Sequence, residues 1–204
     1  MKNRPLVSLT ILFFMLGFSQ AVCAYTILDS SVYAGHTYHL LDYDVQFWGC
    51  AEGDAISLGG NLVAVNDAAE NQWIFDTFSG TVLTEWANND GGSGTPSIWL
   101  GLTRPIADPN WVWSNGDSFT YSNWTPGEPG LGATEISAGM LVSNAWGTPG
   151  KWHDIQDPIV SGLDYTYALV EVGSQVPVPE PTTMLLFGTG LLGLAGISIR
   201  RKEK

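Results

Sequence analysis

Apolar positions along this chain form two long runs at the ends and a series of short periodic segments between them. Residues 6–18 are mostly Leu, Val, Ile, Phe and Met behind Lys2 and Arg4, and small residues follow, with Val22 two positions before Ala24. A basic n-region, an apolar stretch of that length and a small-residue site predict a secretory signal over 1–24. The run is short of the ~20 residues a spanning helix needs. Gln20-Ala21-Val22 ahead of Cys23 does not suit a lipidation motif. At the other end, residues 182–199 carry no charge and are rich in Leu, Gly, Ile and Ala, with Arg200, Arg201 and Lys202 directly after. That pattern predicts a membrane span over 182–204 with its basic end in the cytoplasm. Before it, Val176-Pro177-Val178-Pro179-Glu180-Pro181 predicts a stiff, extended linker over 174–181, since proline fixes φ and cannot continue a helix.

Residues 25–173 read as one domain. Tyr38 and Leu40 alternate inside an aromatic stretch at 36–48, which predicts a strand. Trp48, Ala51, Ala55 and Leu58 share one helical face, and Gly59-Gly60 ends that helix. Residues 61–65 form a short apolar strand. Asp67 with Glu70 three residues later is a capping-box signal for a second helix; it runs to about Phe78 and buries Trp73, Ile74 and Phe78. Residues 88–96 are a polar loop. Strands follow at 98–102 and 111–113, the latter turned by Ser114-Asn115-Gly116-Asp117, an Asn-Gly hairpin signal. From 122 to 150 the chain is rich in Gly, Pro, Asn and Thr, with one short strand at 141–142. Trp152 opens another strand, and 165–172 alternates into the last. Two helices, then several strands around a long irregular loop, predict an α+β fold with the loop as the place for function.

Charge narrows the choice of partner. Arg104 and Lys151 are the only Lys or Arg between residues 25 and 181, against 19 Asp and Glu, a net formal charge of −17. Such a surface repels phosphate backbones, which excludes nucleic acid; it suits cation binding or simple solubility. With 45 % hydrophobic residues the chain can build a core. Cleavage after Ala24 leaves Cys50 as the one cysteine, so the expectation is a domain without an internal disulfide, held by its core.

Several segments, in order, resemble the C-type lectin-like family over roughly residues 33–172. Trp48, Ala51 and Ala55 with Leu58-Gly59-Gly60-Asn61-Leu62-Val63-Ala64-Val65 look like its first helix and following strand, and residues 66–78 like its second helix. Ile98-Trp99-Leu100-Gly101-Leu102 resembles its core strand, and Trp111-Val112-Trp113-Ser114-Asn115-Gly116 the hairpin after it. Tyr121-Ser122-Asn123-Trp124, Gly127-Glu128-Pro129-Gly130, Gly150-Lys151-Trp152-His153-Asp154 and Tyr167-Ala168-Leu169-Val170-Glu171 stand where the family has its later motifs. The resemblance implies a C-type lectin-like fold of two helices, small antiparallel sheets and a long loop. It places Ala55 and Val170 where the family has a disulfide. The tail, with Pro179-Glu180-Pro181 at the junction and Arg200 and Arg201 behind the apolar run, looks like the PEP-CTERM sorting tail of Gram-negative bacteria. That likeness implies an inner-membrane anchor before processing by an exosortase-type enzyme, and then release or attachment at the cell surface or extracellular matrix.

In sugar-binding members of the family a Ca²⁺ ion is held by carboxylates and amides of these loop motifs, and two sugar hydroxyls complete its shell; Ca²⁺ takes ~6–8 hard oxygen ligands. Matched residue by residue, Glu128, Glu135 and Asp154 are the metal ligands, and Pro129, in the family's cis form, shapes the loop. Gly130 offers no side-chain oxygen where the family has Asn, and His153 replaces a second Asn with a nitrogen donor. The ligand-binding set is therefore Glu128, Pro129, Glu135, His153 and Asp154. Three readings stand: a reduced Ca²⁺ site that binds a glycan or exopolysaccharide; a degenerate site on a structural or protein-binding module; and a transition metal drawn by His153. Catalysis is not expected. No Ser-His-Asp or Cys-His grouping is suggested, His36 and His39 lie in an aromatic strand, and a carboxylate pair is cheap among 19 acids.

Overall fold

The computed structural model describes residues 25–42, 47–90, 94–106, 108–130, 132, 134–145, 147–157 and 164–173. The expected signal segment 1–24, linker 174–181 and membrane helix with basic tail 182–204 lie outside them, and with these go Pro179, Glu180, Pro181, Arg200 and Arg201. Among the described residues no helix is long and apolar enough to cross a membrane.

The chain folds as α+β. An N-terminal hairpin, β1 (Thr26–Tyr33) and β2 (His36–Asp42), leads into α1 (Trp48–Ser57), β3 (Asn61–Leu62) and α2 (Ala68–Asp90). Then come β4 (Thr95–Thr103), β5 (Val112–Trp113), β6 (Glu135–Leu141), β7 (Trp152–Gln156) and β8 (Asp164–Val172). The sheet runs β1-β2-β8-β4-β6-β7, with β3 beside β8 and β5 beside β4. Every pairing is antiparallel except that of β4 with β8.

Two cores form because the central strands are apolar on both faces, as a sheet covered on both sides requires. Ile98, Leu100 and Leu102 of β4, Tyr167 and Leu169 of β8 and Tyr38 and Leu40 of β2 pack under Ile74, Phe78 and Val82 of α2. The alternate residues Trp99, Ala168, Val170 and Leu41 pack with Ala51 and Ala55 of α1. The side-chain period of two therefore sorts one strand into both clusters. Ala55 and Val170, fully buried in the second cluster, occupy by apolar packing the place where the resemblance puts a disulfide.

The start of α2 is closed as its sequence predicts: Asp67 Oδ1 accepts from the Glu70 N–H at 2.8 Å, and Glu70 Oε2 accepts from the Asn66 N–H at 2.8 Å. The helix continues well past Phe78, to Asp90. Val82 is fully buried and Trp86 packs on the same core, continuing the spacing of Ile74 and Phe78 by fours. The first helix is fixed at both ends. Trp48 Nε1 donates to the Leu100 carbonyl at 2.7 Å, and the buried Glu52 accepts from Asn61 Nδ2 and the Leu62 N–H. Gly60 is required by a close approach, because a Cβ there would stand 2.2 Å from the Glu171 carbonyl oxygen.

One expectation is corrected. Cys50 is disulfide-bonded, and no free cysteine occurs among the described residues. The absence of a disulfide was expected because cleavage after Ala24 removes Cys23, the other cysteine of the sequence, which lies outside the described residues.

Candidate functional site

The long loop is built on Trp152. Its ring is fully buried, meets Trp113, Tyr121 and Trp124 edge-on, and donates from Nε1 to Asn71 Oδ1 of α2 at 2.8 Å. The Thr125 N–H donates to the Trp152 carbonyl and the Glu128 N–H to the Thr125 carbonyl, which hangs residues 124–128 on the start of β7. The Glu128–Pro129 peptide is cis, the form the resemblance implies. Glu128 Oε2 then accepts from the Gly130 N–H at 2.7 Å, and Asp154 Oδ1 of β7 accepts from the same N–H at 3.0 Å. Glu135, at the start of β6, accepts on Oε2 from the Gly132 N–H at 2.9 Å.

Gly130 is the centre of this arrangement. A Cβ on it would lie 3.3 Å from Glu128 Oε2, 3.7 Å from Glu135 Oε2 and 3.9 Å from Asp154 Oδ1. Three carboxyl groups thus surround one glycine that has no side chain to interpose. Their mutual repulsion shows in Glu128. A hydrogen bond with Asp154, then burial and the Asp154 charge, push its carboxyl up to about 7, against the opposing donation from Gly130 N–H. Near neutral pH the Glu128 carboxyl is therefore partly protonated beside Asp154.

Of the expected residues, Glu128, Pro129, Glu135 and Asp154 come together around this loop; His153 does not join them. It lies beside Asp154 on β7, where successive side chains point to opposite faces. His153 is 5 % exposed, and its Nε2 is 3.0 Å from Ser97 Oγ of β4. Burial holds its imidazole down at about 4, with the Asp154 charge working the other way, so it is neutral at ordinary pH. It acts as a core hydrogen-bonding group and offers no nitrogen to the acidic cluster. Among the described residues no group of three or more His, Cys, Asp or Glu is arranged ready to hold a metal ion.

A second polar cavity, of about 170 Å³, lies between β2, β8 and the start of α2. Tyr38 donates to Glu70 at 2.7 Å, and His36 Nδ1 meets Glu171 Oε1 at 2.5 Å. Burial raises the Glu70 carboxyl, and burial with these carboxylates raises the Tyr38 hydroxyl. Its members come from three separate stretches of sequence, 33–38, 66–70 and Glu171, so no local motif announces it. Glu70 was legible only as a helix cap and His36 only as a strand residue.

This architecture has known counterparts. The mouse scavenger receptor C-type lectin carbohydrate-recognition domain superposes with a TM-score of 0.51 at 22 % identity, covering 71 % of this chain and 95 % of that one. The described domain has the C-type lectin-like fold. A calcium-independent type II antifreeze protein has the same fold, with a TM-score of 0.53 at 15 % identity over 74 % of this chain and 97 % of that one. In sequence, the C-type lectin-like domain is similar to ladderlectin of Oncorhynchus mykiss, 32 % identical over 136 residues. That match covers 66 % of this chain and 62 % of ladderlectin's own length. Residues 177–202 match the PEP-CTERM protein-sorting motif. The fold and the sorting motif expected from the sequence are both present.

Proposed function

We propose that this is an exported, non-catalytic carbohydrate-recognition-like protein, sorted to the cell envelope or exopolysaccharide matrix, whose C-type lectin-like domain (25–173) binds sugar hydroxyls at the Gly130 cluster. The observation that carries the reading is the convergence of Glu128, Glu135 and Asp154 on one glycine. Their hard oxygens and negative charge match what Ca²⁺ takes, and the raised Glu128 carboxyl marks a place where a cation relieves repulsion. These three residues would hold the ion. The ion would supply open coordination positions for neighbouring hydroxyls, while Pro129 and the Gly130 N–H shape the loop. The sorting motif supports the address: the PEP-CTERM segment implies export and handling by an exosortase-type enzyme, with the apolar run 182–199 as the transient inner-membrane anchor.

A second reading has its own support. The carboxylates already accept from Gly130 and Gly132 N–H groups, His153 is turned into the core, and a calcium-independent protein shares the fold. On that reading the domain is a calcium-independent structural or protein-interaction module. Thermal melting with Ca²⁺ and with EDTA, followed by a glycan array, separates the two. A Ca²⁺-dependent rise in Tm with glycan binding supports recognition through the ion; no shift and no glycan binding sinks it. Replacing Pro179-Glu180-Pro181 tests the address separately. A larger, membrane-retained product is expected, and unchanged size and location would point to a plain anchor.

A further inference from the structure

Arg104 is the one arginine among the described residues, in a domain with a large excess of acids, yet it makes no ion pair among those residues. It sits just after β4 and is 5 % exposed. Its guanidinium donates to three main-chain carbonyls: Nε to Glu135 at 3.1 Å, Nη1 to Asp108 at 3.3 Å and Nη2 to Gly132 at 2.5 Å. The group also lies over the Trp111 ring, 5.7 Å from its centroid. The Arg104 N–H donates to the Ile136 carbonyl at 2.8 Å, and the neighbouring Thr103 hydroxyl donates to the same oxygen. Every bond from Arg104 toward β6 therefore falls on Gly132, Glu135 or Ile136, in and just before the start of β6.

A buried charge is tolerated only when its donors are satisfied. Here the partners are carbonyl dipoles from separate pieces of chain, which is how a hard cation gathers a loop. The rigid guanidinium fork suits this, because its donors point in fixed directions, whereas a lysine offers a single point charge.

We propose that Arg104 is a built-in cation that holds the main chain at Gly132, Glu135 and Ile136 and positions Glu135 without any metal. The inference goes beyond the reading of the site, since it holds whether or not the carboxylates take Ca²⁺ or sugar. Arg104 is a positioning residue: it touches no ligand and acts through the main chain of Glu135 and Gly132.

Hydrogen–deuterium exchange on the purified full-length chain tests this in EDTA, comparing wild type with Arg104→Lys and Arg104→Met. Peptides covering 132–136 are expected to be protected in wild type without metal. In Arg104→Met they should exchange at least tenfold faster while α2 and β8 peptides stay unchanged, and Arg104→Lys should fall between. If the side chain only packed on Trp111, Met would protect as well as Lys or better, and that order overturns the proposal. So does a wild-type segment that loses protection when EDTA is added. Should the Met variant fail to fold, the Lys variant and the wild-type response to EDTA decide the matter on the same criteria.

Discussion

Glutamine at position 128 reproduces the protonated state of the Glu128 carboxyl permanently. Its carbonyl oxygen can accept from the Gly130 N–H and its amide can donate to Asp154, so the geometry of the cluster is kept while one negative charge is removed. The sign follows from the raised carboxyl, at about 7 against a usual 4.5. Above pH ~7 the folded protein must ionise a group beside Asp154, which costs stability. As pH falls from 7 toward 4.5 the folded state takes up the proton first and that cost disappears. Felt in full, the displacement amounts to ~3 kcal/mol. Glu128 is only half-buried, and solvent screening reduces this to about 1 kcal/mol. Glu128→Gln should therefore be about 1 kcal/mol more stable than wild type at pH 8.5 in EDTA and equal to it near pH 4.5 or below. Urea unfolding of both proteins across that range measures the difference. The comparison also removes a competing effect, because His153 titrates identically in both chains. A difference independent of pH, or a Gln variant less stable at pH 8.5, would refute the argument from the raised carboxyl.

His153 has the opposite sign. Its folded imidazole titrates at about 4, so the unfolded chain binds the proton first, and stability is lost as pH falls from 6.5 to 4 by up to about 3 kcal/mol. His153→Gln, which keeps a group within reach of Ser97, should flatten that acid limb in a pH series of unfolding midpoints; an unchanged slope counts against the buried neutral imidazole. Asn71→Ala strands the buried Trp152 Nε1 and removes one donor to the Gly150 carbonyl, at a cost of about 1–3 kcal/mol. A variant that melts with wild type would show the tie between α2 and the loop to be idle. Because Cys50 is bonded, its thiol should resist alkylation until the protein is reduced. Intact mass after alkylation with and without reduction checks this, and a Cys50 that alkylates in the unreduced protein contradicts it.

The elements legible in the sequence were those whose signals are local. Trp48, Ala51 and Ala55 at helical spacing gave α1, and the Asp67–Glu70 pair gave the start of α2, because caps and periodicity act within one turn. The end of α2 lies beyond the expected Phe78: Gly80 faces open space and the buried face continues through Val82. Strand β6 was seen only at its last residue: Glu135-Ile136-Ser137-Ala138-Gly139 has little strand propensity, and pairing with β4 and β7 makes it a strand. Strand β1 escaped for the same reason, being defined by its partner β2. In the candidate site, the resemblance to the family's loop motifs brought Glu128, Glu135 and Asp154 forward as a set. It could not tell which way β7 faces, and that orientation turns His153 to Ser97 and Asp154 to Gly130.

The last strand in the chain is also one of the innermost. Strand β8 touches β2, β3 and β4, joining the N-terminal hairpin to the half of the sheet that carries the loop. Until residues 164–172 arrive, those two halves share no ladder across the middle, and the loop-closure entropy of their long separation is met only when β8 pairs. The sorting motif begins at residue 177, four positions after Gly173. The domain therefore completes its sheet only when the chain has been made almost to its sorting motif. A chain stopped before residue 164 leaves the edges of β2 and β4 that β8 joins unpaired, so completion of the fold and arrival of the sorting motif become a single late event.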